Sequence, residues 1–193
     1  LADLLRFVGL DTLEQVTGNM KAEAHIQGRL RDVEDFRAAD LHGLAITGSV
    51  KLKDASLKMK GLRHRVSELN AELALDGNDA LVHGLRFNLQ GNAMELTGTL
   101  HNLMPYALFK DQRLAIEARG KSPSIDLASM LEAKTKAATV PSSTYAFTLP
   151  AQIDLDLKAN IGELKMEEFR ATDIACNFRM TGQKLALEPL TFN

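Results

Sequence analysis

The stretch Leu69-Asn70-Ala71-Glu72-Leu73-Ala74-Leu75, followed by Asp76-Gly77-Asn78-Asp79, decides the fold class of this chain. Leu69, Ala71, Leu73 and Leu75 alternate with Asn70, Glu72 and Ala74. That period of two belongs to a strand with one wet face. Gly-Asn between two aspartates is hairpin-turn chemistry. Beyond it the apolar series resumes at Leu81, Leu85, Phe87 and Leu89, then Gly91-Asn92 reads as a turn before Met94 and Leu96.

The same habit spreads outward in both directions. Met20, Ala22, Ala24 and Ile26 alternate with Lys21, Glu23 and His25. Leu44, Ile46, Val50 and Leu52 share a face opposite Thr47, Ser49, Lys51 and Lys53; Asp54 breaks the run, and Leu57 and Met59 resume it. Further on come Leu114, Ile116 and Ala118; Tyr145, Phe147 and Leu149; Ile153 through Ile161; Ile174 through Met180; and Leu185 through Phe192. Three stretches differ. Residues 1–16 carry Leu1, Leu4, Leu5, Val8 and Leu13 at helix-compatible spacing. Asn102–Lys110 suits one or two helical turns across Pro105, and Ser124–Lys136 reads as a helix capped by Ser124. Organisation follows as one β-rich unit over 1–193: a helix at 1–16, a first strand set at 17–119, helix and loop at 120–144, and a second strand set at 145–193. The predicted fold is mostly β: a long curved antiparallel sheet forming a groove or half-barrel, with a few short helices.

Composition bounds the function. In 193 residues, 45% are hydrophobic and 25% charged, which excludes a disordered chain. No run approaches the roughly 20 apolar residues of a membrane-spanning helix. A net charge of −2 gives no electrostatic case for nucleic acid. Trp is absent and aromatics are 5%, too few for stacking shelves. Cys176 stands alone, so no internal disulfide forms. The chain starts at Leu1 and stops at Asn193 within a strand-like pattern, so it reads as an excised piece of a larger protein.

Two internal matches favour a reused hairpin. Leu69, Leu73, Gly77 and Leu85-Arg86-Phe87-Asn88 recur as Ile174, Phe178, Gly182 and Leu190-Thr191-Phe192-Asn193, at an offset of 105 throughout. Phe36-Arg37-Ala38-Ala39-Asp40 resembles Phe169-Arg170-Ala171-Thr172-Asp173 at an offset of 133.

An apolar sheet face must be covered by a second sheet, a helix or a ligand. Few helical stretches are present to do so. A sheet that curls gives an apolar trough suited to acyl chains, each buried CH2 contributing about 0.8 kcal/mol. The expected lining is Leu44, Ile46, Val50, Leu52, Leu73, Leu75, Phe87, Leu89, Ile116, Phe147, Ile153, Leu155, Leu157 and Phe178. The rival arrangement is a closed β-sandwich acting as a scaffold or interaction module, which hides these side chains.

The ordered pattern resembles the AsmA family of Gram-negative envelope proteins. It is carried by Gly43-Leu44-Ala45-Ile46-Thr47-Gly48-Ser49-Val50, Leu96-Thr97-Gly98-Thr99-Leu100-His101-Asn102-Leu103, Arg113–Ala118, Lys121-Ser122-Pro123-Ser124-Ile125-Asp126-Leu127 and Leu187-Glu188-Pro189-Leu190-Thr191-Phe192. The resemblance implies a periplasmic repeating β-groove like that of TamB proteins. It implies an inner-membrane anchor outside this sequence, phospholipid acyl chains as cargo, an outer-membrane protein as a partner, and a role in lipid transport between membranes and outer-membrane maintenance.

No catalytic constellation is present: no Gly-x-Ser-x-Gly, phosphate loop, Gly-x-Gly-x-x-Gly or His-Glu-x-x-His. His25, His42, His64, His83 and His101 show no metal-ligand spacing, and no cofactor is indicated. Asp154 and Asp156 alternate with Ile153, Leu155 and Leu157, so they read as a solvated strand face rather than a carboxylate pair. Lys51, Lys53, Lys58 and Lys60 form a basic stripe that discourages edge pairing or touches anionic head groups. Cys176 reads as a buried, inert thiol. The chain is expected not to be an enzyme.

Overall fold

A computed structural model describes residues 13–29, 34–59, 65–131 and 151–193. Nine strands lie side by side in chain order: β1 Leu13–Gly28, β2 Leu44–Met59, β3 Arg65–Asp76, β4 Asp79–Leu89, β5 Asn92–His101, β6 Leu114–Asp126, β7 Ile153–Met166, β8 Phe169–Thr181 and β9 Lys184–Thr191. The sheet does not close into a barrel. β1 and β9 are its edges. Among the described residues the strands form this one sheet.

One pairing departs from the expected antiparallel pattern. β6 and β7 are parallel, from Leu114↔Ile153 to Asp126↔Lys165. Parallel neighbours need a crossover of a dozen or more residues, and residues 127–152 provide the length.

Three sequence expectations change here. The helix read over 1–16 does not include its end: Leu13–Val16 belongs to β1, and Gln15 and Val16 pair with Lys58 and Leu57. Ladder pairing along a long neighbour outweighs a short run of helical spacing there; residues 1–12 lie outside the description. The helix-and-loop segment read from 120 begins later, because Gly120–Asp126 continues β6 against β7. The helix itself, α2, spans Leu127–Leu131. Its start is held by Asp126, whose Oδ1 accepts from the N–H groups of Ala128 (2.9 Å) and Ser129 (3.3 Å), not by Ser124. The turn read at Gly91-Asn92 is one residue earlier, at Gln90-Gly91, both with positive φ. The strand read from Tyr145 lies outside the described residues. The helical turns across Pro105 do form, as α1, Leu103–Leu108.

Paired residues on neighbouring strands share a face. The pairing therefore fixes which side chains lie together. One row crosses the whole sheet as Met20, Leu52, Ala71, Leu85, Leu96, Gly120, Ala159, Cys176 and Leu190. The next is Ala22, Val50, Leu73, Val82, Gly98, Ala118, Leu157, Phe178 and Leu187. A third is Ala24, Gly48, Leu75, Ala80, Leu100, Ile116, Leu155, Met180 and Leu185. No polar side chain interrupts any of them. The opposite face carries rows such as Glu23, Ser49, Ala74, Leu81, Thr99, Glu117, Asp156, Arg179 and Ala186.

Bulges bend the strands. Irregularities at Thr17/Asn19 in β1, Leu52/Ala55 in β2 and Ser67/Asn70 in β3 fall side by side. Gly18, Asp54 and Glu68 at these points have positive φ. Such an insertion bends its strand and increases local twist. Three in line make a crease across the first strands. The Asn70 side chain tends it: Oδ1 accepts from the Asp54 N–H (3.1 Å), and Nδ2 donates to the Glu68 carbonyl (2.9 Å). Gly18 is required there, because a Cβ would overlap the Ala55 backbone.

The repeat at offset 105 is structural. Ala71↔Leu85, Leu73↔Val82 and Leu75↔Ala80 in β3–β4 reappear as Cys176↔Leu190, Phe178↔Leu187 and Met180↔Leu185 in β8–β9. Both hairpins carry a register irregularity at the matching place, between Glu72 and Leu73 in one and between Cys176 and Phe178 in the other. Glu68 and Asp173 are matched left-handed residues (φ 54 and 52), as are Gly77 and Gly182 (φ 59 and 55). The match at offset 133 is only verbal: Phe36–Asp40 enters a 3-10 helix, whereas Phe169–Asp173 is strand.

In β5, a Cβ on Gly98 would overlap the Glu117 carbonyl oxygen of β6. Gly98→Val is expected to lose about 2–3 kcal/mol by overpacking in the middle of the sheet, measured by urea denaturation; a loss under about 0.5 kcal/mol would contradict the close β5–β6 approach.

Candidate functional site

The apolar rows form the candidate site. Of the expected lining residues, Leu44, Val50, Leu52, Leu73, Leu75, Phe87, Leu89, Ile116, Ile153, Leu155, Leu157 and Phe178 are half-buried, Ile46 is 1% exposed, and Phe147 lies outside the described residues. The half-buried state is informative. Side chains on an isolated flat sheet would be exposed on both faces. Here Lys51, Lys53, Glu72, Arg86, Glu117, Arg119, Lys158 and Arg179 on the polar face are exposed, while their apolar counterparts are half-covered by one another. The apolar face is the better covered of the two over the middle strands, while Ala22, Ala24, Leu185, Leu187 and Leu190 at its two ends are exposed. It is not the sealed interior of a sandwich, where most core side chains would be fully buried.

The expected lining falls on β2, β3, β4, β6, β7 and β8 and names no residue of β1, β5 or β9. Leu81 reads as the start of an alternating run with Leu85, Phe87 and Leu89. It instead points to the polar face, 46% exposed. The irregularity between Val82 and Leu85 changes parity, so Ala80 and Val82 carry the apolar face across it. Ala71, Ala118 and Ala159 stand in the alternating series but not in the expected lining, and alternation gives no sign of Gly98 and Gly120. The signal available for them was pairing opposite large apolar residues, which single-strand alternation does not contain.

One long margin of the trough is covered. A 3-10 helix, η1 (Ala38–Gly43), touches β2, and α1 touches both η1 and β4. Leu41 and Pro105 are buried in these elements, and Phe36 and Phe109 stack at 5.5 Å between centroids. Ile46 and Ala80, at that end of β2 and β4, are fully buried. Polar contacts tie these pieces together. The Asn78 Nδ2 lies 3.0 Å from His42 Nδ1, and the Asn78 carbonyl accepts from the Met104 N–H at 3.0 Å. Asp79 Oδ1 accepts from the Asn102 N–H and Oδ2 meets His101 Nδ1, both at 2.8 Å. Partial burial works to raise the Asp79 carboxyl, but the Asn102 N–H and His101 outweigh it and hold it below the usual aspartate value.

At the opposite margin, the buried polar groups are satisfied. Asn92 accepts from the Asp126 N–H at 2.7 Å and donates to the Leu89 carbonyl at 3.0 Å. Ser122 Oγ donates within reach of the Ala93 and Ser124 carbonyls. Burial pushes the Cys176 thiol above its ordinary value, consistent with an unreactive core cysteine.

The polar face is laced with exposed ion pairs: Lys51–Glu72 (2.7 Å), Arg113–Asp154 (2.7 Å) and Arg179–Asp156 (3.1 Å). The hydrogen-bonded Arg113 guanidinium holds Asp154 below the usual carboxylate range. Asp154 and Asp156 thus each face an arginine, not a shared substrate. A depression of about 610 Å3 on this face is lined by His83, Thr97, Glu117, Arg119, Asp156 and Lys158, a mixture of both signs. Among the described residues no group of three or more His, Cys, Asp or Glu is placed to hold a metal ion, and no helix is long and apolar enough to cross a membrane.

No family model, curated protein or solved structure matches the chain.

Two outcomes follow from this division of labour between the faces. Ile46→Ala is expected to cost about 3 kcal/mol in urea denaturation, whereas Arg179→Ala is expected to cost less than about 1 kcal/mol. Because the folded Asp79 pKa is depressed, its stabilisation is present above the ordinary aspartate value and is lost as pH falls through the lower folded value. Asp79→Asn is therefore expected to flatten the acid limb of the stability profile below about pH 4; an unchanged limb would remove Asp79 from that role.

Proposed function

We propose that this chain is a non-catalytic piece of an AsmA-like envelope protein whose trough shields phospholipid acyl chains. In this reading it serves lipid transport between membranes and outer-membrane maintenance. It works in the periplasm of a Gram-negative bacterium, held to the inner membrane by an anchor outside this sequence and meeting an outer-membrane protein.

The observation that carries the reading is the set of three uninterrupted apolar rows. Nine strands at about 4.8 Å spacing span roughly 38 Å, and three rows two residues apart span about 14 Å, so even a flat projection covers on the order of 500 Å2. That lies in the upper range of the largest patch on a typical monomer, about 300–600 Å2, which is often functional. The lining is smooth Leu, Val, Ala, Ile and Met with no polar anchor in the rows. A defined small molecule needs placed polar groups for orientation. Acyl tails need none, and each CH2 transferred from water contributes about 0.8 kcal/mol.

The test is mass spectrometry of organic extracts from the chain purified without detergent from a Gram-negative host. Near-stoichiometric phospholipid is expected. Leu73→Asp/Leu155→Asp places charge on the trough floor and is expected to remove the lipid, whereas Thr97→Asp on the polar face keeps it. Leu157→Trp, which fills the trough without charge, covers the case in which the aspartates unfold the sheet. A lipid-free extract from folded wild-type protein would overturn the reading.

A further inference from the structure

We propose that the depression over β4–β7 on the polar face binds a phosphate group between Arg119 and Lys158. Thr97 pairs with Arg119, and Arg119 pairs with Lys158. The three side chains therefore stand in line on one face, about 4.8 Å from strand to strand. Two cations side by side on neighbouring strands repel. Among the described residues neither Arg119 nor Lys158 has a hydrogen bond or an ion pair to relieve this. The rest of the face is arranged differently. Lys51, Arg86 and Arg179 each meet a carboxylate of the neighbouring strand, on Glu72, Glu95 and Asp156.

The carboxylates near the two cations are directed elsewhere. Asp156 Oδ2 accepts from Arg179 Nη2 at 3.1 Å, and Glu117 Oε1 lies 3.9 Å from His101 Nε2. Lys121, two residues along β6 on the same face, also lacks a partner among the described residues, because Glu95 opposite it meets Arg86 at 3.2 Å. Positive charge is thus left over in a depression of about 610 Å3 that the Thr97 and Thr99 side chains also line. These donors suit a phosphate. A guanidinium contacts two oxygens in parallel, an ammonium adds a second charge, and a threonine hydroxyl serves a third oxygen. A carboxylate, with two oxygens and one charge, leaves part of this set unused. A polyanion laid along the face would run into Glu95, Glu117 and Asp156. Leu81, 46% exposed, lines the same depression, so an uncharged substituent on the phosphate meets an apolar wall. The site lies on the face opposite the apolar rows, and it stands whether or not those rows hold lipid.

The experiment is titration calorimetry and thermal melting of the chain with inorganic phosphate, phenyl phosphate and acetate at matched ionic strength. Flotation with phosphatidylcholine vesicles, with and without phosphatidic acid, accompanies it. Both phosphates are expected to bind saturably and to raise the melting temperature, and acetate to do neither. Arg119→Gln and Lys158→Gln are each expected to weaken phosphate binding by at least about tenfold. Lys51→Gln, on the same face but outside the depression, is expected to change it by less than about twofold. Removing one of two repelling cations is expected to leave Arg119→Gln and Lys158→Gln melting no lower than phosphate-free wild type, so lost binding is not lost folding. Flotation with phosphatidic acid that Arg119→Gln abolishes would assign the phosphate to a lipid headgroup. Binding of both soluble phosphates without such flotation would assign it to a soluble ester, and either result sustains the site. No saturable binding at about 20 mM phosphate, an equal response to acetate, or phosphate binding unchanged in both Arg119→Gln and Lys158→Gln would overturn the proposal.

Discussion

Everything in this molecule depends on keeping strand register. Side chains alternate with a period of two, so a slip of one residue at any pairing would turn an apolar strand face outward. Across eight successive pairings the apolar rows stay in line, with bulges absorbing the register shifts in β1–β2, β2–β3, β3–β4, β4–β5 and β8–β9. Leu52 meets Ala71, Leu85 meets Leu96, and Gly120 meets Ala159 in one unbroken line. Desolvation enforces this. A wrong register would expose leucines on one side and push Lys51, Glu72 or Asp156 into the trough, where an unpaired charge is far costlier than a lost apolar contact.

Bulges make that register compatible with curvature. A straight sheet of nine strands would splay its apolar face into water. The aligned irregularities at Gly18, Asp54 and Glu68 bend β1–β3 together, and Asn70 satisfies backbone groups that the ladder abandons there. The same device recurs at Asp173, and the skip in β4 recurs in β9. The fold thus reuses a hairpin whose kink is part of the unit. The covered margin under η1 and α1 adds apolar contact where Ile46 and Ala80 sit, held by hydrogen bonds centred on Asn78 and Asp79.

The two faces contribute differently. The ion pairs of the polar face are exposed, and such pairs contribute little to stability. They place opposite charges across adjacent strands and so help choose partners. The apolar face carries most of the burial, yet leaves most of its side chains only half-covered. Residual exposure of this kind is unfavourable in isolation, and something apolar lying in the trough would relieve it.

Most strands and their faces follow from local chemistry alone. Alternation at Leu69–Leu75 and Ile153–Ile161 needs only local chemistry, and Gly77 and Gly182 mark turns because φ is positive there. The repeat at offset 105 was legible for the same reason. How the faces join is set by contacts between strands distant in the chain. The parallel β6–β7 pairing depends on where a crossover returns, which no local pattern records. The parity change at Val82–Leu85 moved Leu81 outward, because a bulge is a property of two strands and not of one. The helix spacing near Leu13 yielded to β2 for the same reason: pairing with a long neighbour outweighs a short local preference.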